Sequence, residues 1–383
     1  MYPLNPIVKE TALFKLALRN LLHDRIRLGI SVGGVALSMV LILVMAGVFT
    51  GSEEHAVTYI KKQPAALWMM QNGVSNMHMS SSFLPPGTLE QVRQAPGVRQ
   101  AVGLLYANAG VEVNGELIYS YIFAVENGTP FGGPWEMDSG RTDLAADEVI
   151  IDRDLAARYG VGLGDTVTVL GRDLKIAGLS RGAFGIATSI TFINKETLAA
   201  LMGVPPQSDS YILIQPEEGM NPDILAGNLC ALVPGNHVMT QAEFAVSDQE
   251  MIRQMGADII KAMNTVSYVV GLLVIALTVY TATLERAREY GVLKAIGARF
   301  GALLQVVFVQ TYVSAALGIL LGTALAYGVA ALVSRLLPEM LILIRPADVL
   351  AQLPALALVT TLAALLPLGR IARLDPLVVF KEV

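Results

Sequence analysis

Four long, predominantly apolar runs without a single charged residue constrain this chain more than anything else in it. They cover residues 28–52, 262–284, 300–334 and 349–369, and hold 25, 23, 35 and 21 residues. Roughly 20 apolar residues in a helix, rising ~1.5 Å each, cross a bilayer core of ~30 Å. The spacing therefore predicts four transmembrane helices, with the third (300–336) a single helix long enough to project beyond the bilayer. A mean hydropathy of +0.55 agrees, since it is high for a soluble protein. The first run follows a basic stretch as a signal peptide would. It is too long for that role and no small-residue cleavage site stands out, so it reads as a retained span.

Charge orients the spans. If residue 1 is cytoplasmic, segments 1–27, 285–299 and 370–383 lie inside, and they carry 12 of the chain's 27 Lys and Arg against 6 acids. The stretch 53–261 carries 13 basic and 24 acidic residues over a much greater length. The basic residues are denser on the proposed inside, as expected for a multi-pass protein with both termini cytoplasmic. Within 10–27, Leu13, Leu16, Ala17, Leu21 and Leu22 share one helical side and Lys15, Arg19, His23 and Arg27 the other. That pattern suits an amphipathic helix on the inner membrane surface, or a simple basic flank.

Between the first two spans the texture becomes that of a folded domain. Strands are expected at 66–70, 97–105, 117–125, 148–151, 166–170, 190–193 and 211–214. Helices are expected at 87–94, 153–159, 195–202 (Asn194 as N-cap) and 221–232. The fold class is thus a membrane protein: four transmembrane α-helices with a large α+β extracytoplasmic domain, 53–261, inserted between helices 1 and 2. From 240 to 264 an amphipathic helical pattern runs unbroken into the second span, predicting a stalk. Residues 337–348 form a short outer loop, and 370–383 a cytoplasmic tail. The lone Cys230 excludes an intramolecular disulfide and reads as a small buried hydrophobe.

Catalytic chemistry is not in evidence. No GxxxxGK[ST], HExxH, CxxC or GxSxG motif occurs. His23, His55, His78 and His237 are scattered, and no acid or base lies within the four uncharged runs, which disfavours a proton relay. No catalytic residue, metal ligand or nucleic-acid partner is expected. Trp68, Met69 and Met70, then Met77, His78 and Met79, form a soft-ligand stretch. Its alternatives are a copper-type site, a strand with a flexible apolar loop, or a Met-rich contact for greasy substrates. Gly29 and Gly33 in the first span, and Gly318, Gly322, Ala326, Ala330 and Ser334 in the third, recur every four residues. They predict close helix packing, on a neighbouring span or on a second copy.

The remaining feature is a charged island, 285–299, between the second and third runs. Tyr290, Leu293, Lys294 and Gly297 recur there at helical spacing, predicting a short helix at the membrane surface, with a basic loop as the alternative. Its sequence ERAREYGVLKAIGA (285–298) resembles the signature of the FtsX/MacB-like permeases of ABC transporters, the type VII class. ALRNLLHDRIRLGISVGGVAL (17–37), VIIDRDLAARYGVGLGDTVTVLG (149–171) and LGRIARLDPLVVF (368–380) are similar to the same family in the same order.

The resemblance implies a permease without its own ATPase, in a bacterial inner or plasma membrane. It would work as a dimer, expected to be a homodimer, with two copies of a separate ATPase subunit that bind ATP and Mg. Arg286, Arg288, Glu289, Tyr290, Gly291, Lys294, Ala295, Gly297 and Ala298 would form the ATPase-coupling segment. Membrane lipid, and an extracytoplasmic partner of membrane-fusion or other type, complete the expected contacts. The implied function is export or extraction of a hydrophobic or amphipathic substrate (lipid, haem, peptide or drug) by mechanotransmission. The alternatives are an FtsX-like signalling subunit that activates an extracytoplasmic cell-wall hydrolase, and a membrane anchor without an ATPase.

Overall fold

A 16-residue strand, β2 (Val98–Val113), organises the mixed α/β part of the chain. The computed structural model describes residues 25–185, 189–285, 300–337 and 340–365, in two compact units. One unit comprises 51–257 with 337–341; the other holds the remaining helices.

The first unit starts with the end of α1 (Arg25–Ala56) and a short α2 (Thr58–Lys62). The following elements are β1 (Leu67–Gln71), α3 (Thr88–Arg93), β2, β3 (Glu116–Val125), β4 (Met137–Gly140), β5 (Glu148–Asp152) and α4 (Arg153–Tyr159). Then come β6 (Thr166–Val169), β7 (Arg172–Ser180), β8 (Ser189–Asn194), α5 (Lys195–Met202), β9 (Tyr211–Pro216), α6 (Pro222–Leu232), β10 (Asn236–Thr240) and the start of α7 (Gln241–Glu285). The strands form one sheet in the order β10-β1-β9-β2-β3-β8-β5-β7-β4, with β6 bridging β2 and β7. The first half of β2 pairs with β9 and the second half with β3, from Leu105↔Ala124 to Val113↔Glu116. The two-residue loop Asn114–Gly115 has φ of +52° and +85°, the twist a tight hairpin needs.

Alternation along the strands divides the core. Leu67 and Met69 of β1, with Ile212 and Ile214 of β9, pack under α3 and α6, joined by Leu225, Leu229 and Val92. Trp68 and Met70, with Tyr211 and Leu213, point the opposite way into a second cluster with Tyr59, Phe123 and Phe244. A third cluster lies under α4 and α5, with Val111, Val113, Ile151, Leu155, Val167 and Leu198. The helix starts are capped locally: Asn194 accepts from the Glu196 N–H at 3.0 Å, Asn221 from Asp223 at 2.8 Å and Asp152 from Asp154 at 2.7 Å. Lys195 Nζ lies 2.7 Å from Asp209 Oδ1 with both side chains about 5 % exposed or less. Gly103 of β2 makes room for this pair, since a Cβ there would stand 2.2 Å from Asp209 Oδ1.

The second unit contains most of α1, the later part of α7, α8 (Phe300–Leu336) and α9 (Pro346–Leu365). Gly318 and Gly322 of α8 lie hard against α1 of the same chain. A Cβ at Gly318 would sit 2.5 Å from Val35 Cβ, and at Gly322 2.6 Å from the Ala36 carbonyl oxygen. Ala326 and Ala330 continue the seam into a cluster with Met39, Ile42, Leu43 and Leu356, while Ser334 at its end is exposed. Of the two sequence alternatives, the α8 glycines take the neighbouring helix. Among the described residues nothing lies within 4 Å of a Cβ added at Gly29 or Gly33. The segment before α9 packs on α1 at Gly47, whose carbonyl accepts from the Leu343 N–H at 2.9 Å.

Leu28–Ala56 and Leu304–Leu336 are long and apolar enough to cross a bilayer; Thr265–Val274 and Pro346–Leu362 are shorter apolar stretches among the described residues.

Candidate functional site at the base of the long helix

Helix α7 is 45 residues long, and its first turns are set into the sheet unit by a succession of polar contacts. Thr240 and Glu243 form a reciprocal capping box. Glu243 Oε2 accepts from the Thr240 N–H at 2.9 Å, and Thr240 Oγ1 accepts from the Glu243 N–H at 3.3 Å. The Thr240 backbone N–H first, and then the Thr240 hydroxyl, which donates to the same Oε2 at 2.8 Å, hold the Glu243 carboxyl below its ordinary range. Gln241 donates from Nε2 to the carbonyls of Ile60 (2.7 Å) and Gln63 (2.6 Å), and from its backbone N–H to Ala66 (2.9 Å).

One turn further, Phe244 is fully buried between Trp68 (centroids 5.4 Å) and Tyr211 (5.8 Å). Asp248 follows on the same face and is also fully buried. Its Oδ1 accepts from the backbone N–H of Met77 at 2.9 Å and of His78 at 3.4 Å. His78 Nδ1 lies 2.7 Å from Oδ2 without the alignment of a directed hydrogen bond. The His78 ring stands edge-on to Tyr121 at 4.8 Å. Burial first, and the Asp248 charge second, push the Tyr211 phenol above its usual range.

On the next turns Gln249 donates to Glu54 at 3.2 Å, and Arg253 grips the buried Glu53 carboxylate with Nε at 3.1 Å and Nη2 at 3.5 Å. The end of α1 and the base of α7 are thereby strapped together. The Glu243, Asp248 and Glu53 carboxylates each accept a hydrogen bond from another part of the fold, an arrangement suited to fastening a helix.

The sequence-predicted residues fall in three groups. Arg286, Arg288, Glu289, Tyr290, Gly291, Lys294, Ala295, Gly297 and Ala298 lie outside the described residues, as do most of the amphipathic segment 1–27 and the tail 370–383. The packing glycines are placed as above. The Met-rich stretch is corrected: Trp68, Met69 and Met70 are fully buried and Met77 is 4 % exposed, so these four build the core. Both faces of β1 are covered, which leaves no side of it free to meet a ligand. Met79 alone of the five is open, at 60 % exposure. The free Cys230 is partly buried against the α6 cluster. Asp248, His78, Glu53 and Arg253 were not singled out as a set by the sequence pattern. The box T-x-x-E at 240–243 is the one local signal that announces this site.

A mixed α/β unit inserted between apolar helices, with one long helix rooted in it, defines a membrane protein carrying a folded domain outside the bilayer. Residues 28–231 match the MacB-like periplasmic core domain family, and residues 261–376 the FtsX-like permease C-terminal family. The chain belongs to the FtsX/MacB-like ABC transporter permeases.

An ABC transporter permease of Mycobacterium tuberculosis is 26% identical over 374 residues, covering 95% of this chain and 98% of the relative. The ABC transporter permease YknZ of Bacillus subtilis is 23% identical over 95% of this chain and 97% of its own. The macrolide export ATP-binding/permease protein MacB of Hahella chejuensis is 22% identical over 74% of this chain and 45% of its own length. The solved periplasmic region of MacB from Actinobacillus actinomycetemcomitans superposes with a TM-score of 0.36 at 11% identity, over 48% of this chain and 93% of that one.

Proposed function

We propose that this permease works as a force transmitter, receiving motion from a separate ATPase at 285–299 and passing it through α7 to the outer domain. In this reading the chain crosses the membrane four times with both termini inside, and two copies, in a homodimer, bind two ATPase subunits that hold ATP and Mg. The work done is export or extraction of a hydrophobic or amphipathic substrate at the outer membrane surface.

The observation that carries the reading is the rooting of α7. The helix that ends at Glu285, the first residue of the coupling segment, begins in a capped, buried and ion-paired socket around Asp248. A helix fixed this way moves its socket when it is pulled, because a packed interior transmits strain rather than absorbing it. Arg288, Glu289 and Lys294 supply charge-assisted contacts for the ATPase.

The test is the full-length chain in nanodiscs with its ATPase. Glu289→Lys combined with Lys294→Glu is expected to abolish permease-dependent ATPase stimulation while membrane insertion is retained. Undiminished stimulation refutes the docking role. Labelling of 285–299 from the same side of the membrane as 53–261 refutes the topology. A cell-wall hydrolase captured on the outer domain, in place of a lipid-like cargo, would shift the output from export to signalling.

A further inference from the structure

Beside the Asp248 socket lies a cleft of about 420 Å³, large enough for a small ligand. One wall is the loop 78–83; the others come from β2, the β6–β7 turn and the end of α5. Its surface is divided. Met79, Phe83, Leu170, Leu201 and Met202 supply apolar area, and Ser80, Ser81, Asn108 and Ser210 supply hydroxyl and amide groups. Among the described residues no Asp, Glu, Lys or Arg lines it. Its ionisable lining is His78, whose Nδ1 stands against Asp248, and Tyr106, so a charged ligand would find no free counter-ion there, whereas a neutral molecule with an alkyl or aryl body and a hydroxyl or amide head would match both walls.

Two observations mark the cleft as more than a surface irregularity. The first is Leu170, which has φ +50° at a turn whose counterpart in the β2–β3 hairpin uses Asn114. Leucine is strained in that conformation where asparagine is tolerated, yet its side chain is 40 % exposed and lines the cleft. The second is how the loop wall is held. Asn76 Oδ1 accepts from the Met79 N–H at 2.8 Å, Ser82 Oγ accepts from Gln71 at 3.0 Å, and Asn108 Nδ2 reaches the His78 carbonyl at 3.5 Å. To these internal ties Asp248 of α7 adds its grip on the N–H groups of Met77 and His78.

We propose that this cleft is a binding site for an uncharged amphipathic small molecule, and that Asp248 makes its loop wall follow the base of α7. The proposal deepens the permease reading, on which its link to ATP rests, by giving the cargo a place and a chemical class. Displacement of α7 changes the width of the cleft, so the affinity for such a molecule alternates with the state of the ATPase.

The experiment photolabels the full-length chain in nanodiscs with an uncharged diazirine-bearing octanol and maps adducts by peptide mass spectrometry. Adducts are expected on 78–83 and 201–202, displaced by excess octanol. Leu170→Asn, which suits the turn better, should leave the unfolding midpoint unchanged or raised yet cut cleft labelling. Met79→Glu, at an exposed position, should cut it by about tenfold, equivalent to ~1.4 kcal/mol. In the complex, vanadate trapping should change the labelling severalfold in the wild type and leave it unchanged in Asp248→Ala.

Labelling confined to the membrane helices, or insensitive to both cleft variants, overturns the site and leaves the permease reading standing. A nucleotide effect that survives in Asp248→Ala overturns the link to α7. Specific cleft labelling in a chain that neither binds nor stimulates an ATPase upholds the site and refutes the permease reading instead.

Discussion

Replacing Asp248 by alanine should loosen the outer domain without dismantling it, and the size of the loss follows from what the carboxylate holds. Its removal leaves the Met77 N–H, now at 2.9 Å from an oxygen, buried without an acceptor. That costs ~1–3 kcal/mol, and the weaker His78 contact at 3.4 Å adds less. A total of about 3 kcal/mol is expected, which for a domain of this size lowers the unfolding midpoint by about 6–12 °C. Asp248→Asn keeps an oxygen for both N–H groups and loses only the charge, so about 1 kcal/mol and roughly 2–4 °C are expected. Intrinsic fluorescence reads this directly, because the two tryptophans, Trp68 and Trp135, both lie in the sheet unit. Trp68 also stands 5.4 Å from Phe244 on α7 itself. A midpoint in Asp248→Ala within about 1 °C of wild type would show that the buried carboxylate does not fasten the helix.

The start of α7 should respond to acid. The folded-state pKa of Glu243 is depressed, so its stabilisation is present above the ordinary glutamate range and is lost as pH falls through the lowered value. Glu243→Gln should flatten the acid limb of the thermal profile, and Thr240→Ala should cost about 1 kcal/mol at neutral pH by the same fluorescence assay. In the membrane unit, Gly322→Leu should destabilise the purified chain by ~1–3 kcal/mol, since its Cβ would strike the Ala36 carbonyl, whereas Gly29→Leu should be silent in the monomer. Differential scanning fluorimetry in detergent ranks the two, and equal effects would contradict the α1–α8 seam. Lys195→Met should cost ~3–5 kcal/mol by stranding Asp209, and adding Asp209→Asn should restore much of it, as chemical denaturation would reveal.

Which parts of this were legible from residue order depends on how local their cause is. Asn194 announces a helix start because a cap acts within three residues, and it caps α5 as expected, whereas Asn221, expected as the first residue of its helix, is the cap of α6. The unbroken pattern after Thr240 predicts one helix, and α7 is one. Strand β2 runs eight residues past its expected end, through Ala107, Asn108, Ala109 and Gly110. Those residues have weak strand preference and are held by their partner β3. The turn signal Asn114–Gly115 would have extended it. Strands β4, β7 and β10 were missed as well, β10 being short and polar with its partner β1 far away in sequence.

Of the alternatives for Trp68, Met69 and Met70 the strand is the one that forms, and a contact for greasy substrates also fitted because a strand covered on both faces shows no alternation to betray it. Asp248 was invisible for the opposite reason. An acid on a helix reads as solvated, and the two N–H groups it serves lie some 170 residues earlier.

Strand β2 carries a mechanical corollary. It pairs with β9 at one end and with β3 and β6 at the other, over 16 residues, or about 50 Å of nearly inextensible backbone. Neither half of the sheet can rotate without loading the other, so a twist delivered to the β9-paired end is carried along β2 towards the Asn114 tip. Inserting one residue at the junction of Leu104 and Leu105 would turn every following side chain to the wrong face and split this lever into two domains that no longer feel each other.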